Sequence, residues 1–222
     1  MKQSVLNKRK NKSKTKAKSP NRWADHYTRQ AKKENFPARS VYKLKEMQEK
    51  HGLLKKGGRI LDLGCAPGSW LIYAAQQVGK DGCVVGVDLK PITVQVPENV
   101  TTHEADIFDL DEDILTPAGK KFHVVMSDMA PATTGLKHVD SARSYNLCEA
   151  AWSIAQKALL PGGTFICKIF QGEDFDQFLN LVKSDYKTYK IYKPKSTRKA
   201  SKEVYVIGLQ KKETIPEDGS ET

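Results

Sequence analysis

No run of apolar residues approaches the ~20 needed to cross a bilayer, and residues Met1 to Lys10 hold nothing like the apolar segment of a secretory leader. A cytoplasmic location is the expectation. Cysteine is scarce and scattered. Cys65, Cys83, Cys148 and Cys167 form no Cys-x-x-Cys pair and have no histidine at zinc-finger spacing. His26, His51, His103, His123 and His138 are equally isolated. No metal centre is therefore expected, and the cysteines read as reduced thiols packing like small hydrophobes. Acid is absent from residues 1–19, which carry Lys2, Lys8, Arg9, Lys10, Lys12, Lys14, Lys16 and Lys18. Self-repulsion and the lack of anything to bury predict a disordered basic tail that adds affinity for phosphates.

What is present is enough for one α/β core: 222 residues, 39% of them hydrophobic. The expected organisation is a single domain over 20–212, with N-terminal basic helices, between the basic tail and a frayed acidic tail at 213–222. A net charge of +11 favours a polyanionic partner, with nucleic acid ahead of an anionic membrane. No internal repeat is visible, and a monomer is the default.

Trp23 and Tyr27 lie one turn apart between Asn21 and Glu34, which predicts a short basic amphipathic helix. A second helix is expected after Ser40 as N-cap, with Val41, Leu44 and Met47 on one stripe and Lys43 at its edge. Strands are then expected at Arg59–Leu63, Cys83–Leu89, Val100–Ala105, Phe122–Ser127, Thr164–Phe170, Tyr186–Tyr192 and Val204–Leu209. Helices are expected at Ser69–Val78, Ala142–Leu160 (stopped by Pro161-Gly162-Gly163) and Glu173–Val182. This alternation predicts an α/β Rossmann-like fold, a mostly parallel sheet with helices on both faces and an antiparallel closing edge.

The stretch Asp62-Leu63-Gly64-Cys65-Ala66-Pro67-Gly68-Ser69-Trp70 turns from the first strand into a helix, where doubly wound sheets bind nucleotides. Its glycines permit close backbone approach, and the turn is expected to present free amides. Asp88, about twenty residues on, is placed to accept both hydroxyls of a ribose. The third glycine of a dinucleotide fingerprint is missing, which favours S-adenosylmethionine, a donor without phosphates, over NAD. Asp106 either accepts from an adenine amino group or is an ordinary acidic loop residue. Trp70 either contacts the cofactor or packs in the core.

Four polar residues stand in distinctive frames: Lys43 in Ser-Val-Tyr-Lys-Leu, Asp128 in Met-Ser-Asp-Met-Ala-Pro, Lys168 in Cys-Lys-Ile-Phe-Gln-Gly, and Glu203 in Ser-Lys-Glu-Val-Tyr-Val. Asp128 and Lys168 each follow a buried strand and so project at its carboxyl edge. A ribose hydroxyl holds its proton tightly and needs a positioned base. Desolvation and the second cation Lys43 favour a neutral Lys168, whereas Asp128 and Glu203 favour the ammonium and fix its direction. The competing reading is two ion pairs, Lys43 with Glu203 and Asp128 with Lys168, serving stability alone.

From about Asn21 to Gln210 the chain resembles the bacterial FtsJ/RrmJ family of rRNA methyltransferases, on Ser-Asp-Met-Ala-Pro, Lys-Ile-Phe-Gln-Gly and the Arg-x-x-Ser-x-Glu-Val-Tyr stretch at 198–205. It departs from the family pattern at Ser69, where a second glycine is usual, and at Ala132, where asparagine is common. The resemblance implies a Rossmann-like, seven-stranded class I methyltransferase fold and S-adenosylmethionine as methyl donor. It makes Lys43, Asp128, Lys168 and Glu203 the catalytic group, with Lys168 as proton acceptor. Gly64, Gly68, Trp70, Asp88, Asp106 and Asp128 become the donor-binding set. The implied substrate is the ribose 2'-hydroxyl of a uridine in the A-loop of 23S rRNA, within the 50S particle. A tRNA, another rRNA site, a non-catalytic ribosome assembly factor and an NAD oxidoreductase remain the alternatives. Arg22, Arg29, Lys32, Lys33, Arg39, Lys193, Lys195, Arg198 and Lys199 are candidate RNA-backbone contacts. Trp23, Tyr27 and Tyr205 either stack on bases or pack in the core.

Overall fold

The computed structural model describes residues 22–213, with side chains from His26 onward. The expected basic tail and nearly all of the expected acidic tail lie outside the described residues, as do the side chains of Arg22 and Trp23. Helices α1 (Arg22–Lys33) and α2 (Val41–His51) precede the alternating core: β1 (Arg59–Leu63), α3 (Ser69–Val78), β2 (Cys83–Asp88), β3 (Val100–Glu104), α4 (Glu112–Leu115) and β4 (Phe122–Ser127). The chain continues through α5 (Lys137–Ala158), β5 (Leu159–Phe170), α6 (Phe175–Asp185), β6 (Tyr186–Tyr192) and β7 (Glu203–Lys211).

All seven strands join one sheet in the order β3-β2-β1-β4-β5-β7-β6. The first five are parallel, and β7 inserts antiparallel between β5 and the edge strand β6. Period-two alternation splits the core between two faces. Ile60, Val124, Met126, Ile166, Tyr205 and Ile207 pack under α2 and α3. Leu61, Leu63, Val125, Phe165, Cys167 and Val206 pack under α5 and α6. Burial of both faces explains why the inner strands read as nearly unbroken apolar runs.

Three local expectations change. Ser40 precedes α2 but is itself helical (φ −57°, ψ −24°) and makes no side-chain cap; its carbonyl instead accepts the Trp70 indole N–H at 2.9 Å. Helix α5 begins at Lys137, ahead of Ala142, because the Asp140 carboxylate accepts the Thr134 N–H (2.7 Å), the Thr134 hydroxyl (2.9 Å) and the Gly135 N–H (3.2 Å). Such a polar closure leaves no apolar period to read. Pro161-Gly162-Gly163 lies inside β5, where the register with β4 slips between Phe122 and Val124. The single turn α4, with Leu115 buried, had no sequence signal.

Candidate active site

Strand register brings the distant polar residues together. In the β4–β5 ladder Ser127 lies beside Cys167, so Asp128, as β4 ends, emerges next to Lys168, which stays in β5. In the β5–β7 ladder Lys168 faces Tyr205 and Phe170 faces Glu203. Alternation then points Lys168, Glu203 and Tyr205 to the face that α2 covers, and α2 supplies Lys43 from above.

The contacts are direct. Lys43 Nζ lies 2.6 Å from Glu203 Oε1 and 3.5 Å from Asp128 Oδ1. Lys168 Nζ lies 3.0 Å from the same Asp128 oxygen and also donates to the Asp128 carbonyl. The two ion pairs foreseen from the sequence are thus one network, joined at Asp128. All four side chains are largely buried, with 6–16% of their surface exposed.

The sequence assigned Tyr205 either to the core or to RNA stacking, and its hydroxyl belongs to this network. It donates to Asp128 Oδ1 at 2.5 Å and approaches Glu203 Oε1 at 3.4 Å, while the ring is fully buried against Trp70. It cannot stack on a base. The available signal was its position two residues after Glu203, on the same strand face. Tyr27 is likewise packed, 5.2 Å from the Tyr42 ring.

Burial would raise the Asp128 carboxyl, but Lys168, then Lys43, then the Tyr205 hydroxyl more than offset this and hold it below the ordinary carboxylate range. Asp62, one strand over, behaves oppositely. It is 1% exposed, its Oδ2 has no hydrogen-bond partner, and burial followed by the charges of Asp128 and Asp88 pushes it well above the ordinary range.

Beside the network a cavity of about 540 Å³ opens at the carboxyl ends of β1, β2 and β4, where the strand order reverses. Gly64, Asp88, Asp106 and Asp128 line it, with Leu89, Ile107, Phe108 and Met129 among the apolar walls. Gly64, at φ 75°, lies so close to Met129 that a Cβ there would come within 2.2 Å of its Cγ. Two predicted donor contacts are not among the lining residues. Gly68 begins α3 at φ 106°, facing Val94 and Ile92. Trp70 is a core residue, its indole N–H spent on Ser40.

The loop amides are not free either. Those of Gly64 and Cys65 bond to Val87 O, that of Ala66 to Asp88 Oδ2 and that of Gly68 to Cys65 O. These four loop amides are therefore not available to a pyrophosphate. Three carboxylates on the wall, Asp88, Asp106 and Asp128, against one lysine, Lys90, suit a ligand with positive charge and no phosphate, which fits S-adenosylmethionine better than NAD.

Of the candidate RNA contacts, Arg29, Lys32, Lys33, Lys193, Lys195, Arg198 and Lys199 are exposed. Arg39 is half-buried, and burial, followed by the charge of Arg198, lowers its pKa, while Glu203 counteracts them.

Comparison with known proteins agrees with this geometry. Residues 36–211 match the model of the FtsJ-like methyltransferases. A ribosomal RNA large subunit methyltransferase E from Desulforapulum autotrophicum is 55% identical over 91% of this chain and 100% of its own length. Its counterpart from Desulfatibacillum aliphaticivorans is 53% identical over 90% and 96%. A crystal structure assigned to a ribosomal RNA methyltransferase of Plasmodium falciparum superposes with a TM-score of 0.71 at 26% identity, covering 79% of this chain and 98% of that one. The sheet order is that of a Rossmann-like class I methyltransferase, and the chain belongs to the FtsJ-like methyltransferase family.

Proposed function

We propose that this protein transfers a methyl group from S-adenosylmethionine to a ribose 2'-hydroxyl in large-subunit ribosomal RNA, with the A-loop uridine of 23S rRNA in the 50S particle as target. It acts as a cytoplasmic monomer built as one domain over 20–212. Two relatives more than 50% identical over nearly their whole length are named for large-subunit rRNA methylation. The observation that carries the chemistry is the junction at Asp128, one residue that both lines the acid-walled cavity and holds Lys43 and Lys168.

When bound, the donor supplies a methyl group already activated on a sulfonium. The protein's task is then alignment and proton removal. Asp88, Asp106 and Asp128 would hold the donor, near the buried Asp62, whose carboxyl is held toward its neutral form by burial and by the charges of Asp128 and Asp88. Lys168, with its amine in the neutral form, would take the hydroxyl proton and become the ammonium that Asp128 pairs with. Asp128 aims the amine through its carboxylate and its carbonyl, and Tyr205 fixes Asp128 in turn. Lys43 and Glu203 pair on the other side of Asp128 and would help to fix the approach of the 2'-oxygen. The exposed cations Lys195, Arg198 and Lys199 grip the RNA backbone.

The decisive experiment offers free rRNA, tRNA and 50S subunits lacking the modification, side by side, with labelled donor. Label on a 2'-oxygen of 23S rRNA, strongest in 50S subunits, is the expected outcome. Label in tRNA alone moves the target. Binding of all three without label replaces the enzyme with an assembly factor.

A further inference from the structure

The loop between β6 and β7 is tied to α2 by one carboxylate. Glu46 Oε2 accepts the Lys195 N–H at 2.6 Å, and Oε1 accepts the Ser196 N–H at 2.9 Å, a two-pronged contact across about 150 residues of sequence. Ser196 and Thr197 are 4% and 6% exposed, unusual burial for a polar turn. Further along, Thr197 Oγ1 lies 3.5 Å from Glu203 Oε1, the oxygen that also pairs with Lys43 at 2.6 Å. Lys43 and Glu46 lie three residues apart on α2, hence on neighbouring positions of one helix face. The contacts form a closed ring: Lys43 to Glu203, Glu203 to Thr197, the Ser196 amide to Glu46, and α2 back to Lys43.

We infer that Glu46 is a positioning residue. Its carboxylate clamps the 193–202 loop to α2 and so fixes where Glu203 meets Lys43. The inference rests on the assignment of Lys43 and Glu203 to methyl transfer. The ring's stem is fastened independently, Lys193 Nζ to Ser201 O at 2.6 Å and the Ser201 N–H to Arg198 O at 2.9 Å. Loss of Glu46 therefore frees the loop's middle and not its ends. The amides of Lys195 and Ser196 must then turn to water, and buried Ser196 can reach water only if the loop lifts. Thr197 and Glu203 move with it, while the donor cavity, across Asp128, is left alone.

The test uses the full chain, its methyl-accepting RNA and labelled donor. In Glu46→Ala, kcat is expected to fall about tenfold, the scale of a small misplacement of a reacting group. Donor affinity measured by calorimetry should be unchanged, and hydrogen exchange at the Lys195 and Ser196 amides should accelerate. Glu46→Gln keeps an acceptor oxygen without the charge and should fall between wild type and Glu46→Ala. Combined with Glu203→Gln, Glu46→Ala should add less than about twofold, because both act on one pair.

A kcat within about twofold of wild type, or the same loss in the Glu203→Gln background, overturns the inference and leaves Glu46 as fold support only. Should Glu46→Ala fail to fold, Glu46→Gln carries the same exchange and kcat comparisons. If wild type methylates no RNA, the proposed function fails. The exchange measurement then still decides the clamp, since unchanged protection at Lys195 and Ser196 removes it.

Discussion

Asp128 stands between two unlike neighbourhoods. Toward the cavity its neighbours are acids: Asp88 and Asp106 on the wall and Asp62 beneath. Toward α2 and the β6–β7 loop they are bases: Lys43 and Lys168 in contact, with Arg39, Lys195, Arg198 and Lys199 further out. The net charge of +11 is a sum over the whole chain and hides these two neighbourhoods, each with an exception: exposed Lys90 also lines the cavity, and Glu203 pairs with Lys43. An anionic substrate is drawn to one, a cationic donor fits the other, and the reaction belongs at their border.

Deleting Lys168, the base in contact with Asp128, breaks the comparison most severely. Lys168→Ala removes the proton acceptor but leaves the cavity wall intact, because Lys168 is not among the lining residues. A loss of about 10²- to 10⁴-fold in transfer rate is expected, the range of a positioned base, with donor binding retained. A single-turnover assay alongside donor calorimetry checks both. Near wild-type transfer would leave the ion network a structural device.

Salt separates the two sides without a mutation. Four phosphate contacts, from Arg39, Lys195, Arg198 and Lys199, imply a slope near −0.7 per contact for single-stranded RNA, or about fiftyfold weaker RNA binding between 50 and 200 mM salt. Donor affinity should change far less over the same range, since a small ligand meets few charges there, Asp106 and Lys90 being the exposed ones. Parallel slopes would merge the two fields.

Tyr205→Phe is gentler still. It removes only the hydroxyl that holds Asp128 and leaves the ring packed on Trp70. A drop of about tenfold in kcat, with unchanged donor affinity, is expected for one lost charge-assisted hydrogen bond of about 1.5 kcal/mol.

The roles of Tyr205 and Trp70 also mark how far the sequence could be read. Strands β1, β4 and β6 and helix α3 had legible bounds, because short apolar or aromatic-rich runs and the Gly64-Cys65-Ala66-Pro67-Gly68 turn are local signals. So were Lys43, Asp128, Lys168 and Glu203, each in a distinctive frame. Which aromatic packs and which faces RNA was not legible, because an apolar ring with a polar handle suits either place. Nor was the insertion of β7 between β5 and β6, on which the Lys168–Tyr205 pairing depends; strand order is a long-range property. The loop amides were misread for a similar reason. Glycine signals the turn but not that Val87 O, Asp88 and Cys65 O already take its N–H groups.

Asp62 gives the smallest effect and the sharpest contrast with Asp128, since the two carboxyls lie on one sheet face and shift in opposite directions. The lowered Asp128 contributes stability that is present above the ordinary carboxylate range and is lost as pH falls through its depressed folded value. The raised Asp62 works the other way. Its contribution is complete below the ordinary range, where both states are protonated. It is lost as pH rises toward the raised folded value, because the unfolded chain releases its proton first. Asp62→Asn keeps the shape and abolishes the titration. In acid, where Asp62 is protonated in both states and Asp128 titrates in both proteins, the donor-free variant and wild type should respond to pH alike; above the carboxylate range the variant should lose the decline. At pH 8 the variant is expected to be the more stable of the two and to melt at the higher temperature. Thermal melts of both proteins from pH 4 to 9, without and with S-adenosylmethionine, measure it. A cationic ligand above Asp62 favours its ionised form, so adding donor should narrow the variant's advantage. Equal melting curves at every pH would mean that Asp62 carries no uncompensated charge, and the acid field beneath the cavity would lose its deepest member.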